Sequence, residues 1–265
     1  MIKNVIKWFN KDPIIQFDLA YPKMIKIFPE PKPAIANVPE WYKKQPSHYN
    51  NDRSLVNGVM QLTVKKCQAI FDGMTSGYFL LAPVDIYIDT TDNKTLIEIP
   101  EPFRKLNQPI LGVHPTLQIS EYPLDKDLYL DNLLRIHPIW LVSTPKGYST
   151  LFMPPMHHDL PIQAVPAIID SDNFYSDGLL SYFVKKNYKG VIKQGTPIVQ
   201  VIPFKREKWQ SKINEDFDTG LLYEQRKNLR STFENGYRLK FWKKKQYQWW
   251  YTNIDNGRLN DRKTT

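Results

Sequence analysis

The sequence predicts a mainly β protein, an antiparallel β-sandwich or jelly-roll-like barrel, on three observations. Eight short runs rich in Ile, Val, Tyr and Phe follow one another through the middle of the chain. Asp-Asn, Pro-Lys-Gly and Gln-Gly turn signals punctuate them. Almost no helical periodicity separates them, so the crossover helices that a parallel sheet needs have nowhere to form.

Residues 1–50 read as an extended arm, because the proline-rich "IFPEPKPAIANVPEWYKKQP" has fixed φ values and lacks amide donors. Ile27, Ile35, Val38 and the Trp41-Tyr42 pair would hold it down. A core over 51–209 follows, opening with a short helix near 63–74 in which Val64, Cys67, Ile70, Phe71 and Met74 recur at helical spacing. That stripe predicts a buried, inert Cys67. The strand candidates are then "YFLLAPVDIYI", "TLIEIP", "PTLQISEY", "LLRIHPIWLVS", "YSTLFMP", "QAVPAIID", "LLSYFVKK" and "TPIVQVIPF". Pro83, Pro138, Pro166 and Pro203 lie within these runs and belong at edges, bulges or strand ends, since proline cannot donate to a ladder. "VIKQGTPIVQVIPFKRE" reads as a hairpin turning at Gly195, one face of its second strand apolar and the other mixed. In the extension, 210–265, Leu222, Leu229 and Phe233 stand near helical spacing and predict a helix lying on the sheet.

Several chemistries are excluded by what the chain lacks. One cysteine allows neither an internal disulfide nor a thiolate zinc site. No glycine loop of a phosphate-binding type occurs, and "GYSTL" lacks the second glycine of a nucleophile elbow. The longest apolar runs fall short of the roughly 20 residues that span a bilayer, so no membrane span is expected. The start "MIKNVIKWFNKDP" lacks the apolar core of a secretory signal, and a soluble cytoplasmic protein is expected. No residue pattern specifies a cofactor.

Three sets of residues remain as candidates. Asp170 and Asp172 in "AIIDSDNFYSDG" would share one side of a continuing strand, with Tyr175 beside them, and could hold a divalent cation or activate a water. The alternative is a loop whose Asp and Asn side chains satisfy backbone amides. His157 and Asp159 in "MHHDL" have the spacing of two metal ligands on one strand face, but no histidine follows His158 to complete an iron triad. Gln200, on the mixed face of the hairpin, stands as part of a site wall.

The set "PEWYKKQP", "TVKKCQAIFDGMTSGYFL", "IWLVSTPKGYSTLFMPP", "IIDSDNF" and "KQGTPIVQVIPFKRE" resembles a family of uncharacterised proteins from tailed phages and bacteria. The resemblance spans residues 39–209 and implies a phage or bacterial source, in the host cytoplasm or the virion, and a compact β domain. It implies no activity. A more local likeness, over residues 168–203, is to the dUTP pyrophosphatase and dCTP deaminase superfamily. That likeness implies a water-activating role for Asp170, with Phe174 or Tyr175 against a sugar. The arginine-serine phosphate motif of that superfamily is missing. Lys146, Tyr148 and Ser149 of "PKGYS" stand nearest to it as ligand contacts.

Charge is concentrated at one end. Residues 1–204 hold 21 basic and 19 acidic side chains, and 205–265 hold 15 and 8, so seven of the nine net positive charges lie in the last quarter. "YRLKFWKKKQYQWWYTN" interleaves Arg238, Lys240 and Lys243 to Lys245 with Trp242, Trp249 and Trp250. Such a tail packs on the domain or a neighbouring subunit of a homo-oligomer, stacks on nucleic acid, or lies on a membrane surface. The expected role is binding or accessory, with a nucleotide-processing or metal-dependent enzyme around Asp170 and Asp172 as the alternative.

Overall fold

Prolines and positive-φ residues cut the long apolar runs into short strands, and that cutting sets the architecture. The structure, a computed structural model, describes residues 12–21, 24, 26–57, 59–92, 94–106, 109–174, 180–232, 234–243 and 245. The N-terminal segment supplies β1 (Gln16–Leu19), β2 (Lys32–Pro33) and α1 (Glu40–Lys44), and the pair β3 (Leu55–Val56) and β4 (Val59–Met60) precedes α2 (Gln68–Thr75). "YFLLAPVDIYI" becomes β5 (Tyr78–Leu81) and β6 (Ile86–Asp89), parted around Pro83, and is followed by β7 (Leu96–Glu98), α3 (Glu101–Arg104) and β8 (Leu111–His114). "LLRIHPIWLVS" becomes β9 (Leu133–Ile136) and β10 (Trp140–Ser143), parted at Pro138 and at Ile139, whose φ is +69°. After β11 (Tyr148–Met153), "QAVPAIID" divides around Pro166 into β12 (Ile162–Ala164) and β13 (Ala167–Ile169). The chain continues through β14 (Leu180–Val184), β15 (Lys189–Ile192), β16 (Pro197–Lys205), α4 (Thr219–Arg230) and α5 (Gly236–Lys240).

Every strand pairing among the described residues is antiparallel. Two larger sheets, β13-β11-β16-β5-β2 and β12-β14-β9-β8, are joined by the three-stranded β15-β6-β7 and the pair β1-β10. Leu80, Phe152, Val199 and Val201 from the first large sheet share one core with Leu134, Ile136, Tyr182 and Val184 from the second. The fold is therefore sandwich-like and mainly β. Each such buried aliphatic or phenylalanine side chain contributes roughly 1.5–3 kcal/mol by leaving water. Pro203 fits its rule: β5 pairs with β16 only as far as Val201, so Pro203 has one neighbour, β11, and its missing amide faces no acceptor strand.

Tyr182 sits at the centre of this core, fully buried, and its hydroxyl has no hydrogen-bond partner among the described residues. Burial pushes its phenol well above the usual range. Tyr182→Phe removes an unsatisfied group while keeping the ring, so urea unfolding should show unchanged stability or a gain of up to about 2 kcal/mol. A loss above about 1 kcal/mol would mean that the hydroxyl is bonded in solution.

Several sequence expectations are corrected. β15 and β16 do not pair with each other as a hairpin: β15 pairs with β6, and β16 with β5 and β11. The turn at Gly195 (φ +84°) is a corner between sheets, stitched to the β5–β6 corner by Gly195 N–H to Ala82 O (2.9 Å) and Ala82 N–H to Thr196 O (2.8 Å). Asp85 braces it by accepting from the Gln194 amide (2.8 Å) and the Lys193 ammonium (2.9 Å). "PTLQISEY" is not a strand: residues Thr116–Ile119 form a 3-10 turn behind Pro115, leaving Leu117 86% exposed. The helix expected from 63 starts as a 3-10 turn, Val64–Lys66, capped by Thr63, before α2 begins. Cys67 falls at that break and is exposed, not buried. The N-terminal arm is partly regular, placing Phe28 in the main core and Ile35 and Tyr42 against Phe71 and Met74 of α2. Finally, α4 buries no residue and meets α5 instead of lying on the sheet; Phe233, expected on its apolar side, lies outside the described residues.

Candidate functional site

β13 runs antiparallel to β11 with Thr150 opposite Ile169, and then the chain leaves the ladder. The strand does not continue through Asp170 and Asp172 as the sequence suggested. Instead 170–173 form a turn, with the Asn173 amide donating to Asp170 O (2.9 Å), and the turn folds over the loop that enters β11. The Ser171 hydroxyl pins it there, 2.7 Å from both Thr144 Oγ1 and Thr150 Oγ1. Both carboxylates thereby come to the mouth of β11, where β16 delivers Arg206 from the other side.

Arg206 was not anticipated from the sequence, and it organises the cluster. Its Nη1 donates to Asp172 Oδ1 (2.9 Å) and its Nη2 to Asp172 Oδ2, a two-pronged pairing of a flat fork with a flat carboxylate. The Gly147 amide adds a third bond to Asp172 Oδ2 (2.7 Å). Asp170 Oδ1 accepts from the Ser149 hydroxyl (2.7 Å) and from Arg206 Nη1 (3.2 Å). The Arg206 amide is itself fixed by Gly147 O (2.8 Å), and its Nη1 also reaches Tyr148 O (2.8 Å). The Asp172 side chain is 5% exposed and that of Asp170 66%. One carboxylate is thus sealed, and the other faces water at its outer oxygen.

Electrostatics follow from this geometry. The Arg206 hydrogen bond, and after it the Gly147 amide, hold the Asp172 carboxyl down from its ordinary 3.8 to about 2, while Asp172 raises the Arg206 guanidinium. A depressed folded value means that the stabilisation is complete above about pH 4 and is lost as pH falls through about 2. Between those limits the urea midpoint of the wild type should fall more steeply than that of Asp172→Asn. Equal slopes would show that the Arg206–Asp172 contact does not form in solution.

The other candidate residues do not join this cluster as a ligand site. Tyr148 enters through its backbone, Ser149 is buried and engaged by Asp170, and Lys146 is exposed on the loop. Tyr175 lies outside the described residues. Gln200 is four residues from Phe204, the partner of Ser149, hence roughly 13 Å along the strand. Its role is structural, because its amide donates to Gly73 O (2.9 Å) and Ser76 O (2.7 Å) and accepts from the Met156 amide (2.9 Å). His157 and Asp159 are likewise no ligand pair. His157 adopts φ +62°, which breaks the strand spacing, and Asp159 points into solvent against Lys185 Nζ at 2.6 Å. Among the described residues no three His, Cys, Asp or Glu side chains could hold a metal ion together.

Away from these residues, a groove of about 340 Å³ lies between β7, α3 and the start of β8. Ile97, Ile99, Phe103 and Ile110 line it, and the Arg104 guanidinium at its rim is engaged by Ile99 O (2.9 Å) and Glu98 (3.2 Å).

The described part of the tail returns to the domain. Trp242 Nε1 donates to Asp72 Oδ2 (2.8 Å), and Lys245 Nζ reaches the same oxygen (2.8 Å). Trp249, Trp250 and the residues after them lie outside the described part. No helix of the described residues is long and apolar enough to cross a membrane. The chain matches no protein-family model and no curated protein.

Proposed function

We propose that this chain is a binding or accessory protein without catalytic chemistry, of the phage and bacterial kind that its motifs resemble, acting in the host cytoplasm or the virion. One observation carries the reading: Arg206 occupies both carboxylates that would do the chemistry. A general base must take a proton near neutral pH, and Asp172 is held near 2 by a guanidinium it would have to release. Asp170 already accepts from Ser149 and Arg206 through the oxygen that faces the cluster. A divalent cation would have to displace Arg206 to gain both groups. The cluster serves instead to lock the 170–173 turn, the β11 loop and the end of β16 together. The surface that meets a partner is the segment that leaves β16 and enters the C-terminal extension, where Trp209 and Ile213 are each 86% exposed.

A panel of nucleoside triphosphates with and without magnesium tests this directly. The wild type, Asp170→Asn and Arg206→Gln should all give no turnover above the blank. Turnover by the wild type that disappears in Asp170→Asn would sink the reading and establish the nucleotide-processing alternative.

A further inference from the structure

The C-terminal extension is anchored at its two ends and touches little between them. It leaves the domain at Arg206, and every residue from 204 to 221 is exposed. Along that arm and the first turn of α4, Trp209 (86%), Ile213 (86%), Phe217 (52%) and Leu221 (64%) stand bare at four-residue intervals. Single exposed apolar residues need no explanation, but a row of four large ones on one segment marks a contact surface. Asp218 caps α4, which packs on α5, and the chain then returns to the domain.

The return is a two-point fit between complementary charges. Glu234 of the extension places Oε1 2.8 Å from His48 Nε2 and Oε2 2.9 Å from Lys66 Nζ. Lys66 first, and His48 after it, hold the Glu234 carboxyl below its ordinary range. In the opposite sense, Asp72 of the domain receives Trp242 and Lys245 of the extension, and Gln68 fixes its other oxygen (2.9 Å). Each copy of the chain therefore carries both the tip and the cradle that fits it.

We infer that two copies of this chain exchange tips: each arm crosses to seat Glu234, Trp242 and Lys245 on His48, Lys66 and Asp72 of the other copy. Trp209, Ile213, Phe217 and Leu221 are covered where the arms run together. An exchanged tip keeps every contact that it has within one chain, so the tip contacts favour neither state. The arm decides the balance. Thirteen residue steps lead from Arg206 to the helix at Thr219 and can span roughly 43 Å when extended, enough to reach a neighbour. Trp209 exposes most of its roughly 150–250 Å² and Phe217 about half of its own, and these with the aliphatic pair and the seated tip approach the ~800 Å² per partner of a standard interface. Residues 204–221 hold four basic and four acidic side chains, so the arm is electrically neutral and apolar contact, not a phosphate backbone, suits it. This inference rests on the binding role proposed above and names the partner as a second copy.

The test uses the full chain. Light scattering over a dilution series should show twice the 31.2 kDa monomer mass, falling back to it on dilution. Trp209→Ser with Ile213→Ser, at positions that touch nothing buried, should weaken self-association at least about tenfold with an unchanged circular dichroism spectrum. Glu234→Lys and Lys66→Glu test exchange itself. Alone, each sets like charges against each other and should run as a monomer. Mixed, the reversed tip of one meets the reversed cradle of the other, and the untouched tip meets the untouched cradle, so native mass spectrometry should find the heterodimer. A wild type that stays at 31.2 kDa, a dimer indifferent to these changes, or a monomer retained on single-stranded DNA would each overturn the inference. None of those results produces nucleotide turnover, so the proposal of a non-catalytic protein fails only in its own assay.

Discussion

Gly77→Ala is expected to destabilise the protein by more than about 3 kcal/mol, or to leave it unfolded. Gly77 joins α2 to β5 with φ +68°, a conformation that a side chain disfavours, and a Cβ there would stand 2.1 Å from the Val201 carbonyl oxygen and 3.0 Å from its carbon. Those are backbone atoms of β16, whose Val201 is paired with Tyr78, so relief requires moving a ladder strand and not a side chain. The Gly77 carbonyl also accepts the Ala34 amide (2.9 Å), which fastens the N-terminal arm at the same point. Urea unfolding followed by tryptophan fluorescence measures the loss. A change below about 1 kcal/mol would mean that the α2–β5 turn does not lie this close to β16.

Gln200→Leu should cost about 3 kcal/mol or more despite its similar size. Gln200 is fully buried, and its removal leaves Gly73 O, Ser76 O and the Met156 amide without the partner that now satisfies them. Each such orphan costs roughly 1–3 kcal/mol in a dry interior. Gln200→Glu should be no better, because an ionised carboxylate cannot donate to the two carbonyls. Gly77 and Gln200 act on the same seam between α2 and β16, so a double variant should lose less than the two single losses added together. Additive losses would show that the seam is two independent contacts. Near-neutral behaviour of Gln200→Leu would return Gln200 to the status of a candidate site wall.

Neither contact could be read from the chain, although both lie in segments whose type was legible. The apolar content of β5, β11 and β16 marks them as strands, and a glycine before Thr196-Pro197 marks the turn that Gly195 makes with φ +84°. The two faces of β16 were legible, with Val199 and Val201 entering the main core and Gln200 facing away from it; only Ile198 crosses over, because the register shifts between Pro197 and Val199. "PTLQISEY" failed because alternation alone does not distinguish a strand from a short turn placed behind a proline. β8 was missed because "LGVH" is only four residues long and carries a glycine. In the candidate site, Asp170 and Asp172 were visible as a pair, but the arginine that pairs with them, Arg206, lies 36 and 34 residues further along.

Read along the chain, the residues specify a mainly β protein, broken at its prolines, with an apolar interior and a basic, aromatic end. These properties are local: side-chain alternation, fixed φ and charge count act within a few residues, and a linear reading reaches that far. Only the packing of the sheets brings Arg206 against Asp170 and Asp172, sets Gln200 between Gly73, Ser76 and Met156, and places Asp72 on Trp242 from 170 residues away. Hydrogen bonds and ion pairs act over about 3 Å of space whatever the distance along the chain. Which groups come that close is settled only when the sheets pack.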